Sequence, residues 1–291
     1  MNLHTALKLG RVSNLPTVFT NVFAAVALSG SQFDDPKLGL VLIAMFLFYI
    51  GGMYLNDAFD HEIDAQERPN RPIPSGEASL KEVFSIGSFC LVGGIGCLQF
   101  VSYLSEAENW FTNLVASLIL AGLILFYNVH HKKNFFSPVV MGGCRFMVYL
   151  CSVICLAAPL NEQVLLGGLC LLSWIVGLTY LAKKEISLEI NNLFFASFLL
   201  LPLLYLAYSS PLDAPVILGV WLGLCVVVGA ILYTTRRQKK QEIGKNVTIL
   251  IAAISLLDAV MILQTGQVLW GLVAALAFFL TLFLQRTIPG T

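Results

Sequence analysis

Long apolar stretches, separated by short polar segments, run along almost the whole chain. The hydrocarbon core of a bilayer requires about 20 mainly apolar residues in each spanning helix. Lipid offers no partner to free backbone groups, and the alternating polarity of membrane β-strands is missing from this sequence. We therefore predict an all-α, polytopic transmembrane bundle of nine or ten spans. The ten candidate spans are residues 14–30, 38–57, 83–103, 111–128, 137–158, 163–182, 191–208, 214–234, 247–264 and 268–285.

The composition agrees with a membrane protein. Of the 291 residues, 57% are hydrophobic and 12% are charged, whereas a soluble domain carries about 25% charged residues. The 17 Lys and Arg residues balance the 17 Asp and Glu residues, so there is no net positive field to attract nucleic acid. We expect the lipid bilayer, and no nucleic acid, among the partners.

The basic residues predict the orientation, because Lys and Arg concentrate in cytoplasmic loops. With the N-terminus inside, all of the 17 Lys and Arg residues except Lys37 and Arg145 fall on the cytoplasmic side. We therefore expect an integral protein of a bacterial inner (cytoplasmic) membrane with a cytoplasmic N-terminus.

Two loops on the predicted inner side are rich in polar residues, within a single domain that covers residues 1–291. The first loop covers residues 56–82 and the second covers residues 183–192. Each follows an even-numbered span, and a parallel internal repeat would bring the two loops face to face. This arrangement predicts a central cavity that opens to the cytoplasm.

The first loop begins with a column of oxygen-bearing side chains, because Asn56, Asp60 and Asp64 recur at every fourth residue. On a helix that continues from the second span they share one face. Magnesium prefers oxygen ligands and is held by one or two carboxylates together with substrate phosphates. The pattern favours such a site, although an acidic helix end near Arg residues is also typical of a solvated loop with surface ion pairs.

The next segment along the chain, RPNRPIPSG, favours the site over the solvated loop. Arg68 and Arg71 carry planar groups of donors that match phosphate oxygens. Pro69, Pro72 and Pro74 predict an extended and rigid loop. Acids followed by cations are suited to a diphosphate that is bound through a metal ion.

Segment 56–64, followed by segment 68–76, resembles the first aspartate-rich motif and adjoining loop of the UbiA superfamily of intramembrane prenyltransferases. The opening RVSNLPTVFTN is similar to the first helix of that family. The segments YNVHHKK, at 127–133, and MGGCR, at 141–145, extend the resemblance over roughly the first 190 residues.

The resemblance implies a Mg²⁺-dependent enzyme that transfers an isoprenyl group from an isoprenyl diphosphate to an unidentified acceptor. Many acceptors in the family are aromatic compounds. The metal would neutralise the diphosphate as the allylic carbon–oxygen bond ionises. By position, Asn56, Asp60 and Asp64 would be metal ligands. The expected catalytic residues are Asp60, Asp64, Arg68, Tyr127 and Lys132, and the expected substrate-binding residues are Asn14, Arg71, Arg145 and Lys184.

The second loop departs from the family, which has a further pair of aspartates after its sixth helix. This chain has TYLAKKEISLEINN there. Glu185 and Glu189 lie one helical turn apart, and we count both among the expected metal ligands. Alternatively, Lys183 or Lys184 contacts the diphosphate directly, or the cluster is ordinary interfacial snorkelling. This altered motif, with a tenth span where the family core has nine, resembles the EboC-like branch.

Two charged residues fall within predicted spans. Arg145 requires a partner or an aqueous cavity, and we expect it to face the diphosphate; the alternative is a pairing with carbonyl groups or with another helix. We expect Asp258 to bond a Ser or Thr on a neighbouring helix and to have no catalytic role. The seven cysteines all lie in apolar runs, which indicates packing and not disulfides or zinc.

A rival interpretation is a non-catalytic UbiA-like protein that binds or exports a lipid or a small metabolite. It predicts Mg²⁺-independent binding and no release of diphosphate. The complete first motif argues against it, since a binding bundle has no evident need for three oxygen ligands at helical spacing. An alcohol phosphatidyltransferase would also use Mg²⁺ but would need a different aspartate pattern.

Overall fold

The computed structural model describes residues 1–105, 110–132, 134–184, 192–211, 213–235 and 240–290. These residues form α-helices joined by short connections, with a 3₁₀ helix at Val12–Asn14 and no β-strand among them. The α-helices are α1 (Leu3–Leu9), α2 (Leu15–Leu28), α3 (Lys37–Phe59), α4 (His61–Glu67), α5 (Leu80–Leu104), α6 (Trp110–His130), α7 (Ser137–Cys155), α8 (Glu162–Lys184), α9 (Asn192–Ser209), α10 (Pro215–Thr235), α11 (Lys240–Leu263) and α12 (Val268–Leu284).

The all-α membrane fold predicted from the apolar pattern is confirmed. Within the described ranges, seven helices are long and apolar enough to cross a membrane, namely α3, α5, α6, α7, α8, α10 and α11. Three shorter apolar helices, at Val12–Leu28, Ala196–Ser209 and Val268–Leu284, account for the other predicted spans. The short helix α1 lies before the first predicted span; its N-cap is Asn2, whose side chain accepts a hydrogen bond from the Thr5 amide at 2.8 Å.

Helix α11 lies at the centre of the bundle, where it packs against α2, α8, α10 and α12. Helix α3 packs most extensively against α5. The approach of these two helices is close, because a Cβ atom on Gly51 would lie 2.8 Å from the carbonyl oxygen of Gly87. Small residues permit such close contact between membrane helices. This contact fixes the end of α3, which carries the first motif.

The helical hydrogen-bond pattern continues from α3 into α4, as the spacing of the motif predicts. The Asp60 amide donates to the Asn56 carbonyl at 3.0 Å, and the Asp64 amide donates to the Asp60 carbonyl at 2.8 Å. Asn56, Asp60 and Asp64 therefore stack one turn apart, and all three are buried. The polar column predicted from the sequence forms.

The loop after α4 differs from the prediction, which was wrong in expecting an extended segment. It folds into successive turns, in which the Arg71 amide donates to the Arg68 carbonyl and the Ser75 amide donates to the Arg71 carbonyl. Proline fixes φ near −65° but leaves ψ free, so it is compatible with turns as well as with extended backbone. The turns place Arg71 back against the end of α3.

A cavity of about 160 Å³ lies inside the bundle, between α2, α3, α6, α7, α8 and α11. Most of its wall is apolar and includes Val18, Phe48, Ile124, Val148 and Ile254. Its polar lining includes Arg11, Asn14, Tyr127, Asn128 and Arg145. The predicted central cavity is therefore present, and its polar lining includes residues next to the first motif.

Candidate active site at the ends of helices α3 and α6

Asp57, beside the polar column, is the acidic centre of the site. Its Oδ1 atom lies 2.7 Å from Arg71 Nη1 and 3.2 Å from Arg11 Nη2. The Asp57 side chain is 8% exposed and each arginine side chain is 18% exposed. One carboxylate thus holds two guanidinium groups that come from separate segments of the chain.

The backbone at Arg11 explains how a residue so early in the chain arrives at this position. Arg11 has φ 43° and ψ 46°, in the left-handed region, and it forms the sharp connection between α1 and the 3₁₀ helix. Few residues with a side chain adopt this conformation. Arg11 Nη2 also lies 3.4 Å from Asn56 Oδ1. The turn therefore directs a cation towards the end of α3.

Asp60 contacts two basic side chains at the end of α6. Its Oδ1 atom lies 3.1 Å from Lys132 Nζ, and its Oδ2 atom lies 3.4 Å from His131 Nε2. Burial by itself raises the pKa of Asp60, but hydrogen bonds and charges from His131 and Lys132 outweigh it and bring the pKa below its usual value. The ring of His131 stacks on Tyr127, with centroids 5.0 Å apart. Asp60 is therefore held as a carboxylate.

Asp64 lies in a different electrostatic environment. Its Oδ2 atom lies 3.5 Å from Arg71 Nη1. Burial raises the pKa of Asp64; the charge of Arg71 opposes this, while the neighbouring carboxylates Asp60 and Asp57 raise it further. The same cluster affects Arg71, whose pKa is lowered by burial although Asp57 opposes the change. A further positive charge next to Asp64 would stabilise its ionised form.

Two asparagines connect the site to the cavity. Asn56 Nδ2 lies 3.4 Å from Asn128 Oδ1, and Asn128 donates to the Gly52 carbonyl at 3.1 Å. These contacts tie the ends of α3 and α6 together beside Asp57. Asn14 lies further along the cavity wall, where it donates to the Tyr49 hydroxyl at 3.1 Å and to the Gly290 carbonyl at 2.9 Å.

The remaining basic residues that the sequence singled out are less close to the acids. Arg68 is exposed at the end of α4. Arg145, on α7, lines the cavity and donates to Asn21 Oδ1 at 2.7 Å and to Thr17 Oγ1 at 3.3 Å. Among the described residues its hydrogen bonds are made to α2.

Asp258 bonds a neighbouring helix, as the sequence predicts. Its Oδ2 atom accepts hydrogen bonds from Thr20 at 2.5 Å and from Asn21 at 2.7 Å, while its Oδ1 atom accepts one from Tyr149 at 2.7 Å. Thr20 and Asn21 lie on α2, and Tyr149 lies on α7. The Asn21 side chain thus contacts both Asp258 and Arg145.

The second loop begins at the same end of the bundle. Lys183 donates to the Asn134 carbonyl, and the Tyr180 hydroxyl donates to the Phe135 carbonyl at 3.1 Å. Asn134 follows Lys132 closely in sequence, so the end of α8 lies near the first site. Glu185, Glu189 and the side chain of Lys184 lie outside the described residues.

The oxygen-bearing side chains of the described site fit a magnesium ion that binds together with a phosphorylated ligand. Among the described residues, no three His, Cys, Asp or Glu side chains are grouped to hold a metal by themselves. Magnesium needs fewer protein ligands, since waters and phosphate oxygens complete its shell. Asn56, Asp60 and Asp64 supply oxygen atoms one turn apart on one face. All seven cysteines are free thiols, as expected.

Three residues of the site were not chosen from the sequence. Asp57 lies beside the predicted column and was omitted because helical spacing excludes adjacent residues. Arg11 was noted only within the first-helix segment, since its contact depends on a left-handed turn. His131 has no spacing to other His or Cys residues that would indicate a zinc site, so it does not stand out in the sequence. For His131 the sequence does contain a signal, because it lies four residues after Tyr127 and so about one helical turn from the ring on which it stacks.

Comparison with known proteins identifies the family. The sequence matches the UbiA prenyltransferase family over residues 17–186, which is more than half of the chain. The chain belongs to the UbiA prenyltransferase family. The matched UbiA region contains the first motif, the end of α6 with its basic residues, and Arg145. It ends at residue 186, within the second loop.

Two relatives illustrate the range of names within the UbiA family. A digeranylgeranylglyceryl phosphate synthase of Metallosphaera sedula is 36% identical over 136 residues, which cover 46% of this chain and 45% of the relative. A protoheme IX farnesyltransferase of Korarchaeum cryptofilum is 33% identical over 128 residues, which cover 43% of this chain and 40% of the relative. Each match spans less than half of the relative.

Solved structures confirm the UbiA fold over most of the chain. A structure from a study of digeranylgeranylglyceryl phosphate synthase in membranes aligns with a TM-score of 0.62 at 20% identity, covering 90% of this chain and 98% of that one. The apo structure of a UbiA homologue from Aeropyrum pernix K1 aligns with a TM-score of 0.61 at 15% identity, covering 82% and 96%.

Proposed function

We propose that this protein is a Mg²⁺-dependent prenyltransferase, which moves an isoprenyl group from an isoprenyl diphosphate to an acceptor inside the membrane. One observation carries the proposal: buried acids and cations converge at the ends of α3 and α6, beside an apolar cavity. Membership of the UbiA family supports the same activity. The names of the two relatives describe different reactions, so the proposal names neither a chain length nor an acceptor.

The cations of the site would bind and stabilise the diphosphate. Arg11, Arg71 and Lys132 are each paired with an aspartate at present, so they are held in place before a ligand arrives. Arginine and lysine donors match phosphate oxygens, and they stabilise the charge that develops on the leaving group. Arg68, exposed at the loop, would add a further donor.

Magnesium, when bound at Asn56, Asp60 and Asp64, would neutralise diphosphate charge as the allylic bond breaks. Glu185 and Glu189, which lie outside the described residues, would contribute to a second ion, and Lys184 would contact the substrate. The protein keeps Asp60 charged through Lys132 and His131. This prepares one carboxylate for a cation at neutral pH.

The cavity would hold the isoprenyl chain and the acceptor. The apolar part of its wall would keep water away from the isoprenyl chain, and so from a carbocation formed there. Tyr127 lines this wall and stacks on His131, which contacts Asp60. Its ring therefore lies between the charged site and the apolar interior. We further propose that the charged end faces the cytoplasm, as the basic loops predict.

An assay of pyrophosphate release tests the proposal. The purified protein in detergent is given geranyl, farnesyl or geranylgeranyl diphosphate, with or without Mg²⁺, and a panel of acceptors. We expect Mg²⁺-dependent release that Asp60→Asn and Asp64→Asn abolish. Glu62→Gln is the matched control, because Glu62 is an exposed acid on α4, and it should retain full activity.

Equal release by Asp60→Asn and by the wild-type protein would contradict this mechanism. Binding of the isoprenyl diphosphates without Mg²⁺ and without release would support the rival, a protein that binds or exports a lipid. The two functions therefore predict opposite results for release and for the magnesium requirement.

A further inference from the structure

A buried hydrogen-bond network crosses the bundle beside the cavity, away from the acidic motif. Asp258 is fully buried on α11 and accepts hydrogen bonds from Thr20, Asn21 and Tyr149. Hydrogen bonds to a carboxylate favour its charged form. Complete burial opposes ionisation of this carboxylate, but three donors converge on it and Arg145 lies one side chain away, so the network is suited to hold a negative charge in the interior.

Arg145 supplies the matching positive charge on the other side of Asn21. The Asn21 oxygen accepts from Arg145 at 2.7 Å, and its nitrogen donates to Asp258 at 2.7 Å. No ion pair within 4 Å joins Arg145 to a carboxylate in the described part of the chain. Asn21 thus lies between two opposite charges, whose sum is zero. Charges inside a membrane protein pair with one another in this way or face a cavity.

Arg145 also faces the cavity. Its guanidinium lies over the Tyr49 ring, 5.3 Å from the centroid, and the residue lines the cavity wall. A guanidinium has five N–H donors, of which Nη1 and Nη2 each donate to one side chain of α2. The guanidinium therefore has donors left for a ligand in the cavity.

We propose that Arg145 binds an uncharged oxygen, a carbonyl or hydroxyl group, of the acceptor substrate, and that Asp258 is a positioning residue that balances the charge of Arg145 through Asn21. This inference rests on the proposed function and names the class of acceptor. It also assigns Arg145 to the acceptor and not to the diphosphate.

The charge balance is the reason for an uncharged group. An anionic acceptor beside Arg145 would bring the net charge of this buried region to minus one, because Asp258 already neutralises the arginine. An uncompensated charge in an apolar interior is strongly unfavourable. An uncharged oxygen can accept hydrogen bonds from the available N–H groups of Arg145, and it leaves the net charge at zero.

A matched pair of probes tests the inference. 2-Naphthamide and 2-naphthoate have the same apolar body, but one carries an uncharged carbonyl group and the other a carboxylate. Binding to the purified protein in detergent is measured by calorimetry, and binding to Arg145→Met is subtracted to remove partition into the micelle. We expect the wild-type protein to bind 2-naphthamide at least about tenfold more tightly than 2-naphthoate.

Asp258→Asn should lower the preference for 2-naphthamide over 2-naphthoate by about tenfold or more. In this variant no acid balances Arg145, so the carboxylate of 2-naphthoate can pair with the arginine. Tyr149→Phe is the matched control, since it removes a hydrogen bond to Asp258 and leaves both charges in place. If Asp258 has a purely structural role, Asp258→Asn should weaken the binding of both probes equally. That result would overturn the proposal.

The wild-type protein alone also decides the matter if Asp258→Asn fails to fold. Equal or tighter binding of 2-naphthoate, or binding of neither probe above Arg145→Met, would overturn the inference. Mg²⁺-dependent release of pyrophosphate by the wild-type protein is measured in parallel, because the proposed function requires release and assigns it to the site around Asp57 and Asp60. Mg²⁺-dependent release without the expected preference between the two probes would overturn the acceptor inference and leave the proposed function standing.

Discussion

Asp57 connects parts of the chain that are distant in sequence. Arg11 precedes it by 46 residues and Arg71 follows it by 14 residues. The resulting cluster fixes the connection between α1 and α2, the end of α3 and the loop after α4. Each group is mostly buried, so each depends on the others for its hydrogen bonds.

Asp57→Asn should therefore destabilise the protein. An amide cannot balance two guanidinium charges, and leaving buried polar groups without their partner costs about 1–3 kcal/mol. We expect a lower Tm in detergent, measured by thermal unfolding. Glu67→Gln, a change at an exposed acid on α4, is the control and should leave the Tm unchanged. An unaltered Tm in Asp57→Asn would contradict the structural role of the cluster.

The pair of Asp60 and Lys132 predicts a pH dependence of stability. The pKa of Asp60 is lowered in the folded protein from its usual 3.8. Its contribution is therefore present above about pH 3.8 and is lost as the pH falls through the folded value. Lys132→Gln should lower the Tm at pH 7. The difference in Tm between this variant and the wild-type protein should become smaller below about pH 3.8.

Thermal unfolding at pH 7 and at pH 3 measures this narrowing. Lys81→Gln, at an exposed lysine on α5, serves as the control and should show no pH-dependent difference. If the difference in Tm between Lys132→Gln and the wild-type protein stays constant with pH, the ionised Asp60 contributes no stability through its contact with Lys132.

At the residue scale, helical spacing is the feature of the site that the sequence predicts well. Asn56, Asp60 and Asp64 stack because every fourth residue of a helix shares a face. The contact of Arg11 with Asp57 depends instead on a left-handed turn and on tertiary packing. No local pattern encodes such a contact, and only the folded structure reveals it.

At the scale of helices, the contact between α3 and α5 depends on the absence of side chains. A Cβ atom on Gly51 would meet the backbone of Gly87 at 2.8 Å. A carbonyl in a packed helix cannot move aside without moving the helix. The position of the first motif, at the end of α3, therefore depends on glycine at this point.

Gly51→Val should push α3 away from α5 and lower the Tm in detergent, with an overpacking penalty of about 1–3 kcal/mol. Gly122→Val is the matched control, because Gly122 also lies in a helix but a Cβ atom there would meet nothing within 4 Å. Equal Tm values for the two variants would show that the contact is not tight.

The spans were predictable at this scale because lipid demands long apolar helices. The apolar runs correspond to α2, α3 and α5–α12, with ends that differ by a few residues. The loop after α4 was predicted less well. Proline restricts one dihedral angle, and the contact of Arg71 with Asp57 selects turns over an extended path.

At the scale of the whole molecule, the α3–α6 end with its charged cluster defines one side of the bundle. If this side is cytoplasmic, a cysteine at Ser75 reacts with a membrane-impermeant maleimide only in inverted vesicles, and a cysteine at Asp213 only in right-side-out vesicles. Both positions are exposed. The parent protein, with its native cysteines in helices, gives the background labelling. The reverse pattern would contradict the predicted orientation.

The interior network also belongs to this scale. Asp258 on α11, in the last part of the chain, lies outside the residues matched to the family, yet it contacts Asn21 on α2 and Tyr149 on α7. Its expected bond to a Ser or Thr on a neighbouring helix is confirmed by Thr20. Its link to Arg145 through Asn21 required the arrangement of three helices.

The packing of residues 285–290 extends the cavity wall to the segment that follows α12. Gly290 is buried against Asn14, and a Cβ atom there would lie 2.7 Å from the Asn14 oxygen. Gln285 donates to the same oxygen at 2.9 Å. A side chain at position 290 would therefore displace Asn14, which lines the cavity, so a substitution after α12 would reshape the proposed binding site from a distance in sequence of 276 residues.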